Sequence, residues 1–166
     1  MSEAKALFGR AAVEEAMAEH PAVKAILAWN PDALADAKLD RGELTLTITS
    51  GAIRAAAQTV QTAGYNFFED LTAVDWFPAS PRFQLSYHIL SHRYKERIRL
   101  RVMVDETDPS VESITPVWPA ANYYEREVFD LFGIRFEGHP NLRRIMMPDD
   151  WKGHPLRKDY PVEGYR

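Results

Sequence analysis

The chain has 166 residues and no cysteine, carries a formal net charge of -4, and contains 46% hydrophobic and 27% charged residues. This length and composition fit one packed globular domain. Without cysteine the chain forms no disulfide, thiolate nucleophile or cysteine-ligated iron–sulfur cluster. The acidic balance argues against nucleic acid as the main partner, because phosphate binding needs a basic surface.

The first part of the chain predicts a helix, a strand and a second helix. Ser2 to Glu19 places apolar residues at helical spacing, and Pro21 follows its end. Glu43 to Thr49 alternates aliphatic residues with threonine, which is typical of a half-buried strand. Ser50 to Ala63 predicts a helix with Ser50 as the N-cap, and Gly64 stands where such a helix ends.

The middle of the chain predicts three more strands and a last helix. Phe67 to Trp76 is rich in apolar residues and ends before a proline cluster, which indicates a strand. Residues 83–89 and 98–104 alternate and predict an antiparallel hairpin, and Asn122 to Phe132 predicts a helix that ends at Gly133. The expected fold is therefore α+β, with a mixed or antiparallel sheet of about four strands and covering helices.

Three arginines alternate along the second hairpin strand, at Arg97, Arg99 and Arg101. One interpretation is a solvated edge or face that discourages aggregation. The other is a contact with an anion or a partner chain. The sequence leaves both open.

Periodicity disappears after Gly133, where prolines and glycines recur to the end of the chain. The segment is nevertheless too apolar to stay free in solvent. We therefore divide the chain into an α+β domain, residues 1–132, and an extended C-terminal interaction arm, residues 133–166. The arm either lies on its own domain or reaches across a neighbouring chain. Its apolar residues are Phe136, Leu142, Ile145, Met146, Met147, Trp151, Leu156, Tyr160 and Tyr165.

Two sets of residues invite a metal or acid–base interpretation. Glu125 and Glu127 lie two positions apart on a helix, so they point in opposite directions and cannot close on one ion. His139 and His154 each stand between glycine and proline. The proline forces the histidine before it into an extended conformation, so the tripeptide has a backbone role that needs no metal. We expect no metal site and no catalytic residue, with a small metal-dependent enzyme using the two histidines as the competing hypothesis.

Motifs for nucleotide cofactors, membrane insertion and secretion are not found. The sequence contains neither a Gly-x-Gly motif nor a P-loop, and its longest apolar run, Ala25 to Trp29, is far too short to span a bilayer. The N-terminal residues resemble no secretory signal. These observations favour a cytoplasmic location.

A long stretch then matches a known pattern. EREVFDLFGIRFEGHPNLRRIMMPDDWKGHPLRKDYP, residues 125–161, closely resembles the signature of the 30 kDa-type subunit of respiratory complex I, whose bacterial form is NADH:quinone oxidoreductase. DLTAVD (residues 70–75), YHILS (87–91) and VWPAAN (117–122) are similar to the same family in the same order. Because the chain stops soon after the motif, we expect the stand-alone bacterial form.

The resemblance implies a peripheral membrane subunit on the cytoplasmic side of the cell membrane, in a proton-pumping translocase. It implies no cofactor in this chain, with FMN and iron–sulfur clusters on partner subunits, and packing against the quinone-site (49 kDa-type) subunit and iron–sulfur subunits. Relatives also occur in membrane-bound hydrogenase and plastoquinone-reducing complexes. The residues expected to bind partners are Glu125, Arg126, Glu127, Asp130, Arg143, Arg144, Trp151, His154, Leu156, Arg157, Lys158, Asp159 and Tyr160.

Overall fold

The structure, a computed structural model, describes residues 6–165. The main-sheet strands are β1 (Leu7–Phe8), β2 (Leu34–Asp40), β3 (Glu43–Ile48), β4 (Phe67–Asp75), β5 (Phe83–Ser91) and β6 (Glu96–Val104). A second sheet pairs β7 (Ser110–Glu112) with β8 (Arg135–Glu137), and the helices are α1 (Arg10–Ala16), α2 (Pro21–Trp29), α3 (Ile53–Thr62) and α4 (Ala121–Phe132). Within the described residues, no helix has the length and apolar character needed to cross a membrane.

The main sheet has the strand order β1-β2-β3-β6-β5-β4. Its neighbours are antiparallel except for β3 and β6, which run parallel with Leu46 opposite Leu100. The α+β class and the mixed sheet are confirmed, as is the hairpin of β5 and β6. The sheet has six strands rather than the predicted four, because β1 and β2 were not predicted.

One face of the sheet and the helices share a single core. The aliphatic residues of β3 point into it, and the predicted apolar face of α3 is completely buried: Ile53, Ala56, Ala57 and Val60. Burying an aliphatic side chain contributes roughly 1.5–3 kcal/mol, so this shared core is the main source of stability. The core also includes Ile134 and Phe136, which follow α4.

The other face of the sheet carries hydroxyl and charged side chains that bond to one another. Arg99 donates to the Thr45 hydroxyl at 3.3 Å, and Arg101 donates to the Thr47 hydroxyl at 2.8 Å. Both threonines are buried beneath these arginines, so β3 is buried on both faces rather than on one as predicted. Since β6 lies between β3 and β5, Arg97, Arg99 and Arg101 lie on a sheet face and not at an edge.

The N-terminal helix prediction is confirmed over α1 (Arg10–Ala16) and wrong for Leu7 and Phe8, which form a strand. Within the described part of the predicted helix, Leu7 pairs with Leu39 in the sheet and Gly9 has φ +93°, a conformation that ends the strand before α1 begins. Residues 2–5 of that prediction lie outside the described residues. Pro21 follows the end of α1, as predicted, and also begins α2, because the first turn of a helix suits proline. Ser50 makes no capping hydrogen bond and lies in a 3₁₀ turn before α3.

Candidate partner-binding surface

Helix α4 directs one carboxylate inward at each end of its apolar face. Glu125 is completely buried and accepts hydrogen bonds from the Ile114 N–H at 2.7 Å and the Ser113 hydroxyl at 2.6 Å. Burial raises the pKa of Glu125, and these donors partly oppose the shift. Glu125 therefore attaches the loop after β7 to α4, whereas Glu127 is exposed on the opposite side of the helix.

Asp130 organises the arm around a single buried carboxylate. One of its oxygens accepts the backbone N–H groups of Ile145, Met146 and Met147 at 2.9, 2.7 and 2.9 Å, and the other accepts from Arg144 at 2.5 Å. Burial alone would raise the pKa of Asp130, but these four donors outweigh it and lower the pKa. The backbone of residues 145–147 is thus bonded to α4 through the Asp130 side chain.

Two arginines extend this attachment along the arm. Arg126 donates to the carbonyls of Arg143 and Arg144, at 3.2 and 3.1 Å. Arg144 in turn donates to the carbonyls of Trp151 and Gly153, at 3.0 and 3.1 Å. These side chains hold the irregular backbone in place of the hydrogen bonds that a helix or strand would supply.

The stretch His154 to Arg157 caps the C-terminal end of α4. The last carbonyls of a helix have no partner within the helix. Here the Asp130 carbonyl contacts His154 Nδ1 at 2.9 Å, the Leu131 carbonyl accepts from the Leu156 N–H at 3.0 Å, and the Phe132 carbonyl accepts from Arg157 Nε at 2.6 Å. A carbonyl only accepts, so His154 carries its proton on Nδ1. Gly133, with φ +75°, leaves space for this cap.

We expect Gly133→Ala to lower the free energy of unfolding by about 2 to 4 kcal/mol. An added Cβ would lie 2.6 Å from His154 Nε2 and 2.7 Å from Arg157 Nη2, and the left-handed backbone disfavours alanine. Urea unfolding of the isolated chain measures the change. Gly51→Ala is the control, because Gly51 has nothing within 4 Å of its Cβ position and should change stability by less than about 1 kcal/mol. Equal effects at the two glycines would contradict the cap.

The far end of the arm is held by Arg82, a residue that the sequence analysis did not single out. Arg82 is only 1% exposed and makes two bonds to Asp75, at 2.9 and 2.8 Å. It also bonds Asp159 at 2.6 Å and Glu106 at 2.5 Å, while Asp75 accepts the Lys158 N–H at 2.8 Å. Residues 158–159 are therefore fixed to the end of β4.

This ion-pair cluster perturbs the titration of Asp75. Burial would raise its pKa, but the bonds from Arg82 and from the backbone N–H groups of Lys158 and Phe77 lower it to about 2. No sequence signal marks Arg82, because its acidic partners lie 7, 24 and 77 positions away along the chain. The fold alone brings them together.

Although its backbone is fixed, the arm directs apolar side chains outward. We call four of them the apolar strip: Ile145, Met146, Trp151 and Leu156, which are 39%, 62%, 39% and 51% exposed. Met147 and Tyr160, two other apolar residues of the arm, are half-buried. Exposed methionine and tryptophan on an ordered backbone are typical of a protein interface.

The predicted partner-binding residues thus fall into three groups by burial: completely buried, half-buried and exposed. Glu125 and Asp130 are completely buried and shape the arm from beneath, whereas Trp151, Leu156 and Lys158 are exposed. Arg126, Arg144, His154, Arg157 and Tyr160 are half-buried between them, and Glu127, Arg143 and Asp159 are exposed. Their contact with a partner stays a prediction, as does the domain boundary at residue 133.

The two histidines of the metal hypothesis contact backbone atoms. His139 Nε2 lies 3.2 Å from the Asn122 carbonyl, and His154 Nδ1 contacts the Asp130 carbonyl. Among residues 6–165, no three His, Cys, Asp or Glu side chains are arranged to hold a metal ion. Elemental analysis of the purified chain separates the two hypotheses, since stoichiometric zinc, iron or manganese would favour the metal-dependent enzyme.

Solved structures with this fold define the class of protein. The trypsin-resistant fragment of Nqo5, residues 1–134, aligns with a TM-score of 0.62 and 30% identity over 73% of this chain and 99% of the fragment. A chain of the membrane-bound sulfane sulfur reductase, an archaeal respiratory membrane complex, aligns with a TM-score of 0.72 and 27% identity over 84% of each chain. The protein is therefore a subunit of a multi-subunit complex.

Sequence comparison then identifies the family. The model of the respiratory-chain NADH dehydrogenase 30 Kd subunit matches residues 46–166. A NADH-quinone oxidoreductase subunit from Roseiflexus sp. strain RS-1 is 47% identical over 80% of this chain and 78% of its own length. The same subunit from Citrifermentans bemidjiense is 46% identical over 80% and 83%. The chain belongs to the 30 Kd subunit family of respiratory NADH dehydrogenase, which confirms the resemblance noted in residues 125–161.

Proposed function

We propose that this chain is a non-catalytic structural subunit of the peripheral arm of proton-pumping NADH:quinone oxidoreductase. It packs against the quinone-site subunit and supports electron transfer from NADH, through FMN and iron–sulfur clusters on partner subunits, to quinone. It binds no cofactor itself and reaches the cytoplasmic side of the cell membrane only through the complex. The observation that carries the proposal is the apolar strip on an arm whose backbone is already fixed.

The energetics of the strip support attachment to another protein. Its four side chains remain 39–62% exposed although α4 and Arg82 fix the backbone beside them. Burying each on a partner would contribute on the order of 1 kcal/mol or more, because part of its apolar area is still in water. A pre-ordered arm also loses little conformational entropy on binding.

We expect Trp151→Ala to reduce the amount of assembled complex at least tenfold while the isolated chain stays folded, because aromatic anchors dominate interface energetics. Native gels of membranes from the variant strain, with NADH:quinone reductase activity, measure assembly. Trp29→Ala is a matched control, since Trp29 is 40% exposed, close to the 39% of Trp151, but lies on α2 away from the arm. An unchanged complex yield in both variants would remove the basis of the proposal.

A related complex is the second candidate, favoured by the alignment with the archaeal sulfane sulfur reductase chain. The chain would then hold the equivalent place in a membrane-bound hydrogenase or plastoquinone-reducing complex. The electron donor separates the two candidates. NADH-dependent quinone reduction by the purified complex supports the first, and activity only with hydrogen or another donor supports the second.

A further inference from the structure

We propose that the cavity between His154 and Arg157 receives a carboxylate side chain of a neighbouring subunit. The inference rests on the proposed function, because it names the chemistry of one contact that the arm makes within the complex. It concerns a polar site beside the apolar strip, and it stands on the unmatched charge of Arg157.

Arg157 is a half-buried cation. Its Nε donates to the Phe132 carbonyl at 2.6 Å, and within residues 6–165 its side chain forms neither a second hydrogen bond nor an ion pair. Two other arginines that hold the arm are ion-paired: Arg82 with Asp75, Glu106 and Asp159, and Arg144 with Asp130. An unpaired charge removed from water is costly, so a free guanidinium edge here calls for an anion.

The nearby acids do not satisfy Arg157. Asp159 lines the same cavity, but both of its carboxylate oxygens are bonded to Arg82, at 2.6 and 3.1 Å. The charges of Asp75 and Glu106 also favour the Arg157 cation, but both carboxylates are likewise bonded to Arg82. Burial and the neighbouring Arg82 charge lower the pKa of Arg157, which agrees with an incompletely compensated cation.

The cavity has the size and lining for one small planar anion. Its volume is about 130 Å³, and its walls are Gly153, His154, Arg157, Asp159, Tyr160 and Tyr165. The Phe83 ring, whose centroid lies 5.2 Å from Arg157 Cζ, supports the guanidinium without neutralising it. A guanidinium with free terminal N–H groups matches a carboxylate through two parallel hydrogen bonds. The Tyr160 and Tyr165 rings, which line the cavity, meet edge to face with centroids 5.3 Å apart.

The test compares Arg157→Lys with Arg157→Gln in the intact complex. Both substitutions remove the Nε bond to Phe132, so both weaken the cap on α4 to a similar extent. They differ in charge, because only lysine retains a cation for the partner carboxylate. After a salt wash of purified complex, we expect the Gln variant to lose about tenfold more of this subunit than the Lys variant. Equal retention of the two variants, whether high or low, would overturn the proposal.

A second measurement locates the carboxylate. In Arg157→Lys the introduced amine should form a carbodiimide crosslink with an Asp or Glu side chain of another subunit, identified by mass spectrometry. The wild-type complex, in which Lys158 supplies the neighbouring amine, is the background. A crosslink only to Asp159, to the chain's own terminus, or to no group contradicts a partner carboxylate. If Trp151→Ala disrupts assembly but Arg157→Gln does not differ from Arg157→Lys, this inference fails while the proposed function stands.

Discussion

Replacing Asp130 with alanine is expected to lower the free energy of unfolding of the isolated chain by about 3 to 5 kcal/mol. The substitution removes the acceptor of three consecutive backbone N–H groups and leaves Arg144 without its carboxylate. The loss is large beside the roughly 5–15 kcal/mol that stabilises an ordinary domain. Urea unfolding measures it directly.

Limited trypsin digestion tests whether Asp130→Ala releases the arm locally. Without Asp130 the backbone around Arg143 and Arg144 loses its anchor, so we expect rapid cleavage there while the sheet stays intact. Glu127→Ala is the matched control, since it removes an exposed carboxylate from the same helix and should change stability by less than about 0.5 kcal/mol. If Asp130→Ala and Glu127→Ala unfold at the same urea concentration, the arm is not held by Asp130.

Replacing Arg82 with methionine is expected to cost about 3 to 5 kcal/mol, because it leaves the buried Asp75 carboxylate without a counter-ion. It also frees Asp159, so trypsin should cleave after Arg157 or Lys158 faster than in the wild type. Urea unfolding at neutral pH measures the cost. Arg135→Met is the control, since its pair with Asp108 is exposed on both sides and is worth at most about 1 kcal/mol.

The pH dependence of the Arg82 effect has a defined sign. The pKa of Asp75 is lowered to about 2 in the folded chain from an ordinary value of 3.8, so its contribution is complete above about pH 4. As the pH falls from 4 towards 2, Asp75 becomes protonated and this contribution is lost. The stability difference between wild type and Arg82→Met should therefore shrink over that range. A difference that stays constant down to pH 2 would show that the pairing with Asp75 is not its cause.

Elements with strong local periodicity were predicted well from the sequence. In α3 and in the hairpin of β5 and β6, the spacing of apolar residues largely matches the pattern of burial, whereas in β3 the threonine face is buried as well. The N-terminal region was predicted poorly for a physical reason. Leu7 and Phe8 fit a helical face or a short strand equally well, and only pairing with β2 selects the strand. Pro21 both follows one helix and begins the next. Because proline was interpreted as the end of the first helix, α2 was not predicted.

The arm was predicted as a unit, but the atoms that fix it were not. Its apolar and proline-rich composition indicated an irregular segment that must contact something. The structure places its backbone on its own domain, with the four side chains of the apolar strip among those that point outward. Asp130 is completely buried and bonds the backbone of the arm, a contact that the sequence did not indicate, while its predicted role in partner binding stays a prediction. The role of Arg82 could not be predicted, because it holds the arm through a bond to Asp159, 77 positions away. Such long-range pairs leave no periodic pattern in the sequence.

The most direct test is affinity purification of the tagged chain from native membranes, in wild type and in the double variant Trp151→Ala with Leu156→Ala, with identification of every co-purified subunit. The proposed function predicts that the wild-type chain brings the quinone-site subunit and iron–sulfur subunits with it, and that the double variant loses them while remaining folded. If the double variant retains the quinone-site subunit in full, or if the wild-type chain purifies without it, attachment through the arm is contradicted.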